Sequence, residues 1–298
     1  MASTPTVGFI GLGIMGSPVA KNLIDAGYDL VVNDVRAERV RALVDYGTES
    51  AATPADVAAA SDVVVTFLPE GTHVREVALG EDGLVDGAEA GLVYVDMSTI
   101  GPATIREVGA ELDAVGVHTI DAPVSGSERG AKAGSLRLMV GSDEPIPEAV
   151  AAMFDVVGGQ VVQIGGLGAG QVAKVCNNMI GAASTVALSE ALVFAEKAGV
   201  SKEKLVEGMK GATGQTWILD NRAEEMIAHD FEPGFFGSYH YKDLRIGIND
   251  AQAYGVPVPL SQVNHELYKT LEETGRGDLD TSAVLTVLED MAGLETDV

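Results

Sequence analysis

One cysteine among 298 residues, Cys176, excludes an internal disulfide and any metal cage built on thiolates. It stands between Lys174 and Asn178. As a nucleophile it would have no histidine close in sequence, so an apolar filler in the core is its expected role. No metal ligand set is assigned anywhere in the chain. Basic side chains are scarce: 19 Lys and Arg face 44 Asp and Glu, a net charge of −25. A polyanion repels phosphate backbones and anionic lipid, which argues against nucleic acid and membrane surface as partners. No run of about 18 apolar residues is present. The start, Met1-Ala2-Ser3-Thr4-Pro5, lacks the basic n-region of a secretory signal. A cytoplasmic protein is expected. The acids form no block; residues such as Glu203, Glu207, Glu224 and Glu225 read as a solvated surface, of a kind that high internal salt would screen.

What is present is apolar and glycine-rich. Hydrophobic residues make 46% of the chain and glycines number 36, while aromatics are 5%. That composition suits an α/β protein with many tight turns and enough core for one large or two ordinary domains.

The front of the chain carries a motif in its full context. Thr6 to Ile10 reads as a buried strand. Gly11-Leu12-Gly13-Ile14-Met15-Gly16 follows, then a helix to about Ala26, then a second strand from Asp29 that ends at Asn33 and Asp34. Strand, glycine turn, helix, strand and acid make the dinucleotide fingerprint. The first two glycines permit a tight turn and close approach to a pyrophosphate, and the third lets the helix pack on the strand. The helix N-terminus offers amide donors to the phosphates. Asp34 would bond the ribose hydroxyls of NAD and repel the extra phosphate of NADP, whereas Arg36 could pair with that phosphate. NAD is favoured, with NADP left open.

Further strands are expected at Asp62–Phe67, Leu92–Asp96 and Val117–Ala122, with a helix over Asp56–Ala60. Ligands sit outside the carboxyl ends of such strands, so Leu68, Pro69, Ser98 and Thr99 are candidates for the cofactor shell. Thr99 could equally cap the helix after Gly101-Pro102. Ser125-Gly126-Ser127, entering a helix, could be an anion nest for a substrate carboxylate or simply a cap. Leu136–Gly141 should reverse onto the sheet, and Val161–Ile164 should close it.

From Gln171 the strands stop. Helices are expected near 171–198, 202–210, 216–228, 243–254, 260–274 and 281–291. The switch marks a domain boundary near Ile164: residues 1–164 form a Rossmann-type, doubly wound dinucleotide-binding domain, and residues 165–298 an all-helical domain that opens with a long interdomain helix. A cleft between domains is the default ligand site. In the long helix Lys174 and Asn178 are four residues apart on one face. Val172, Val175, Met179 and Ile180 surround them with apolar neighbours. Desolvation would pull the lysine pKa toward neutrality and suit it to acid/base work; the alternative is a lysine that snorkels to water.

Four motifs occur in order: Gly11 to Gly16; Asp121-Ala122-Pro123-Val124-Ser125-Gly126; the run from Gly165 to Asn178; and Lys242-Asp243-Leu244. Over essentially its whole length the chain resembles the β-hydroxyacid dehydrogenases, the family of 3-hydroxyisobutyrate dehydrogenase and tartronate semialdehyde reductase. The resemblance implies that Lys174 is the general acid/base and that Asn178 positions the substrate. It implies that Ser125, Gly126 and Ser127 hold the substrate carboxylate and that Lys242 closes over the cofactor. The third residue of that turn is usually glycine, and here it is serine, as in some semialdehyde reductases of the family. Arg129 could read a second acidic group or pair with Glu128, and Tyr239 and His240 could line the pocket or pack the domain. The expected reaction transfers hydride between a nicotinamide cofactor and a 3-hydroxy acid/semialdehyde pair. Tartronate semialdehyde, succinic semialdehyde and glyoxylate reduction remain open alternatives. A dinucleotide-binding module without catalysis is the alternative of another class. Relatives imply a homodimer or homotetramer.

Overall fold

The structure, a computed structural model, describes residues 4–294. Its strands are β1 (Val7–Ile10), β2 (Leu30–Asn33), β3 (Glu49–Ser50), β4 (Val63–Thr66), β5 (Val93–Asp96), β6 (His118–Asp121), β7 (Val124–Ser125), β8 (Leu136–Gly141) and β9 (Gly158–Gly165). Between them run helices α1 (Gly16–Asp25), α2 (Ala37–Val44), α3 (Pro54–Ala59), α4 (Gly71–Leu79), α5 (Leu84–Gly87), α6 (Pro102–Asp113), α7 (Ser127–Lys132) and α8 (Glu148–Val157). Six helices follow: α9 (Ala169–Lys197), α10 (Lys202–Met209), α11 (Trp217–Ala228), α12 (Gly237–Ala253), α13 (Pro259–Glu273) and α14 (Val284–Met291). This is a Rossmann-type α/β sheet followed by an all-helical region.

The sheet order is β3-β2-β1-β4-β5-β6-β8-β7, and β9 also pairs with β8, in parallel. From β3 to β6 every pairing is parallel; β8 then runs antiparallel to β6 and β7. The order reverses at β1, whose Val7 lies opposite Leu30 of β2 on one side and Val63 of β4 on the other. That reversal is the switch point, where the carboxyl ends of the strands leave room for a ligand. The central strands are apolar throughout because helices cover both faces. Side chains alternate accordingly: Phe9, Val32, Val63, Val65 and Val95 pack on one side with α1 and α8, while Ile10, Val31, Val64 and Tyr94 pack on the other with α3 to α6.

The chain divides into two compact units, one ending at Lys174 and one beginning at Val175. The first turn of α9 therefore goes with the sheet, beyond the boundary expected near Ile164, because its backbone and Gln171 are tied to the ends of β5 and β6, as described below. The second unit has its own core, in which Ala182, Val186 and Leu192 of α9 pack with Leu219, Met226, Leu244, Tyr268 and Leu271.

Two helices differ from the expected ranges. The stretch Gly237 to Lys242 is already helical in α12, although it lacks an apolar repeat; His240 is held there by partners from other elements. The segment expected as one helix over 281–291 opens with a 3-10 turn, Thr281–Ala283, whose start is capped by the Asp280 side chain. By length and composition alone α9 could cross a membrane, its best window having mean hydropathy 1.4. It buries one face in the protein instead, with Gln171, Lys174 and Asn178 on that face.

Candidate active site

The glycine turn meets its geometric requirements. Gly11 has φ +97°, and a Cβ there would stand 2.3 Å from the Phe67 carbonyl oxygen. A Cβ on Gly16 would stand 2.0 Å from the Gly11 oxygen, so the start of α1 can touch the turn only with glycine. Gly13 differs: a Cβ there would meet only Arg39 Nη1, at 3.8 Å. Its lack of a side chain serves open space above the turn, which is where a pyrophosphate would approach. Leu12, Ile14 and Met15 complete the loop into α1. The residues present therefore fit a dinucleotide.

Asp34 is half-buried, its side chain nearly covered, and it binds the turn itself. Its Oδ2 accepts from Leu12 N–H at 2.7 Å and its Oδ1 from Arg36 N–H at 2.8 Å. Arg39 Nη1 lies 3.7 Å from Oδ2. Arg39 is a residue the sequence reading missed; it sits one turn into α2, facing both Asp34 and Gly13. Asn33 turns its amide onto the carbonyls of Ala51 and Ala52, at 2.9 and 3.1 Å, and so fixes the segment after β3.

A cavity of about 410 Å³ opens beside the turn, lined by Gly13, Ile14, Ser17 and Lys21 on one side and by Glu128 and Lys132 of α7 on the other. The fold thus brings the start of α1 and helix α7, into which the Ser125-Gly126-Ser127 turn leads, to one cavity. Gly126 has φ +143° and Ser127 φ +57°. The second value is a left-handed conformation that costs a non-glycine residue about 1 kcal/mol, which gives a physical reason for the family's usual glycine. Glu128 pairs with Lys132 at 2.6 Å rather than with Arg129, since positions four apart share a helix face and neighbours do not.

The ends of β5 and β6 carry a buried polar network. Ser98 donates to Asp96 Oδ1 at 2.6 Å and accepts from Leu68 N–H at 2.9 Å, so it holds the Leu68-Pro69 loop. Thr66 donates to the same carboxylate oxygen at 2.7 Å. The N-cap of α6 is Gly101, not Thr99. Asp121 accepts from Gly168 N–H at 2.6 Å and from Gln171 N–H at 2.8 Å. Burial raises its carboxyl from the ordinary 3.8 to about 7, opposed by those two donors and reinforced by Asp96. Neither Asp121 nor Gln171 had been assigned a role; the only signal for Asp121 was its place at a strand end in the Asp121 to Gly126 motif.

Lys174 lies one turn further along α9 and is 7% exposed. Asn178, one turn beyond, is 6% exposed. In the second unit the Asn178 amide donates to Asp243 Oδ2 at 2.5 Å, and Lys242 Nζ stands 3.0 Å from Asp243 Oδ1 in an ion contact without hydrogen-bond alignment. His240 Nε2 bonds the Asn178 carbonyl at 2.9 Å, and its Nδ1 meets Thr281 Oγ1, which donates to the Tyr268 hydroxyl. His240 therefore packs the helical region, while Tyr239 meets Phe236 edge-on and Phe235 at a tilt. Cys176 is exposed, not a core filler. Two residues past Lys174 turns it to the other side of the helix, away from the buried lysine.

Comparison with known proteins agrees with this arrangement. Residues 6–165 match the family model described as the NAD binding domain of 6-phosphogluconate dehydrogenase. Residues 168–288 match the one described as the NAD-binding of NADP-dependent 3-hydroxyisobutyrate dehydrogenase. The 2-hydroxy-3-oxopropionate reductase of Escherichia coli is 38% identical over 96% of this chain and 98% of its own. The probable mitochondrial 3-hydroxyisobutyrate dehydrogenase of Dictyostelium discoideum is 37% identical over 96% and 92%. A solved 3-hydroxyisobutyrate dehydrogenase from Mycobacterium tuberculosis, bound to L-serine, has a TM-score of 0.89 at 33% identity, covering 96% of this chain and 99% of that one. With two such models along its length and relatives of this identity over nearly all of it, the chain belongs to the β-hydroxyacid dehydrogenase family, NAD(P)-dependent oxidoreductases acting on CH–OH groups.

Proposed function

We propose that the enzyme transfers hydride between a nicotinamide cofactor and a 3-hydroxy acid/semialdehyde pair, in the manner of a 3-hydroxyisobutyrate dehydrogenase, with Lys174 as general acid/base. The observation that carries this reading is a lysine 7% exposed on a helix whose first turn is bonded to the carboxyl ends of β5 and β6. When bound, the reduced cofactor supplies the hydride. The amides of Ser125-Gly126-Ser127 would receive the substrate carboxylate, Asn178 would orient the substrate, and Lys242 would help hold the cofactor. Lys174 Nζ gives its proton to the carbonyl oxygen as charge grows there, and takes it back in the oxidative direction. A positioned acid/base contributes about 10²–10⁴-fold. Lys174→Ala should therefore lower kcat by a factor in that range while the Kd for NADH changes little. Undiminished turnover in that variant refutes the assignment.

A second reading has specific support. Ser127 at the third position of the turn, and 38% identity to the Escherichia coli reductase, favour a 2-hydroxy-3-oxopropionate reductase. Turnover on a panel of semialdehydes separates the two, and quenching of NADH without turnover on any of them would favour a binding module. The Asp34 carboxylate beside the glycine turn supports NAD over NADP. The second unit exposes Ile180 and Phe194 of α9, Trp217 of α11, and Leu260 and Val263 of α13. So much exposed apolar surface supports a homo-oligomer.

A further inference from the structure

The long helix that carries Lys174 lacks a cap of its own. Its N-cap position is Gly168, which has φ +85° and no side chain to accept from the first-turn amides. A buried carboxylate from the end of β6 does that work: Asp121 takes Gly168 N–H on one oxygen and Gln171 N–H on the other, at 2.6 and 2.8 Å. Space for this carboxylate is kept by two glycines. A Cβ on Gly141 would stand 2.3 Å from Oδ1, and one on Gly170 would stand 2.7 Å from Oδ2 and 2.2 Å from the Met139 carbonyl oxygen.

Gln171 makes the second half of the attachment. It is fully buried, and its side chain reaches three points at or just beyond the end of β5. Its Oε1 accepts from Ile100 N–H at 3.0 Å, and its Nε2 donates to the Ser98 carbonyl at 2.9 Å and toward Asp96 Oδ2 at 3.3 Å. Through Asp96 and Ser98 the same network holds Leu68 N–H, the start of the Leu68-Pro69 loop. Lys174 is three residues from Gln171, so the two lie on one face of α9, in successive turns. The lysine thus follows the clamp by a single turn of rigid helix.

We infer that Asp121 and Gln171 are positioning residues for the hydride-transfer reaction: together they fix the axial and rotational setting of the first turns of α9 on the strand ends, and thereby the place from which Lys174 delivers its proton. A helix start held by one contact could slide or rotate; one held by five hydrogen bonds to two strand ends cannot do so without breaking buried pairs. Proton delivery is sensitive to such displacement, since a misplacement of about 1 Å costs on the order of 10²-fold in rate. The Gly11 to Gly16 turn, where the dinucleotide phosphates would sit, is bonded to neither Asp121 nor Gln171, so NADH affinity should change far less than kcat.

This inference rests on the assignment of Lys174 as acid/base, and the test separates the two. Asp121→Asn sets an amide NH₂ against one of the two helix amides while keeping the shape. Gln171→Leu removes all three side-chain bonds. Each variant should lose 10- to 100-fold in kcat while the Kd for NADH, from fluorescence titration, stays within about threefold. By hydrogen exchange with mass spectrometry, the peptide spanning 166–175 should exchange faster than in the native enzyme. If Lys174→Ala keeps full turnover, the acid/base assignment fails. If Lys174 is required but both variants keep kcat within twofold, the positioning role is overturned. It is also overturned if NADH affinity falls in parallel with kcat. Should the variants not fold, the native protein decides: amides at 168–171 protected as strongly as those of β6 support the clamp, and amides there that exchange as fast as a frayed helix end overturn it.

Discussion

Burial of Asp121 predicts how stability changes with pH. Its carboxyl is raised from 3.8 to about 7, first by burial, against the two amide donors, and further by Asp96. The charged groups on the elements around it include Lys174 from α9, Asp96 from β5, Arg106 from α6, whose Nε bonds the Leu167 carbonyl, and Asp143 after β8, which accepts from Leu167 N–H. A carboxyl with a raised folded pKa binds its proton more tightly in the native state than in the unfolded chain. The stability it contributes is therefore complete below about 3.8 and is lost as pH rises through about 7. Each pKa unit is worth about 1.4 kcal/mol, so the move caps the loss at roughly 4 kcal/mol, a large part of a domain's usual 5–15. Many other acids titrate below pH 5, so the quantity to measure is a difference. Urea midpoints of the wild type and of Asp121→Asn, followed by far-UV circular dichroism from pH 4.5 to 8.5, should diverge. The wild type should weaken relative to the variant by up to about 1.4 kcal/mol per pH unit, then level off above pH 7.5. A flat difference across that range refutes the reasoning. A difference of opposite slope would mean that the amide donors and the α9 dipole outweigh burial.

Two further outcomes follow from the site and the surface. Replacing Asp34 by Ser removes the carboxylate bonded to Leu12 N–H of the glycine turn while leaving Arg36 and Arg39, so the ratio of kcat/KM for NADPH over NADH should rise at least tenfold; a wild-type preference for NADPH would reverse the NAD assignment. Light scattering after size exclusion should give a dimer or tetramer, and Phe194→Glu, at a residue 75% exposed on α9, should shift it toward smaller species; a monomer at all concentrations would refute self-association.

Local sequence was enough wherever a residue's role is set by its immediate neighbours along the chain. The fingerprint from Gly11 to Gly16 could be read because tight turns and close packing demand glycine whatever lies elsewhere. The structure shows that demand directly at Gly16, 2.0 Å from the Gly11 oxygen for any added Cβ. The parallel strands were legible because burial on both faces leaves continuous apolar runs such as Val63-Val64-Val65, and Lys174 and Asn178 fall on one face by helix spacing alone.

Other features depend on groups far apart in the chain. Gly237 to Lys242 fell outside the helix expected from 243 because its turn of helix is held by His240 reaching Thr281 and Asn178, not by an apolar stripe. Cys176 looked like core because its neighbours are apolar, yet α9 buries the opposite side. Arg39 showed no sign of facing Asp34 until α2 was in place. The sequence by itself determined the order of elements, the dinucleotide turn and the lysine helix, since these follow from backbone sterics and side-chain period. Only the tertiary structure decided what holds that helix at its start, because the Asp121 carboxylate and the amides of Gly168 and Gln171 come together only when the sheet has formed.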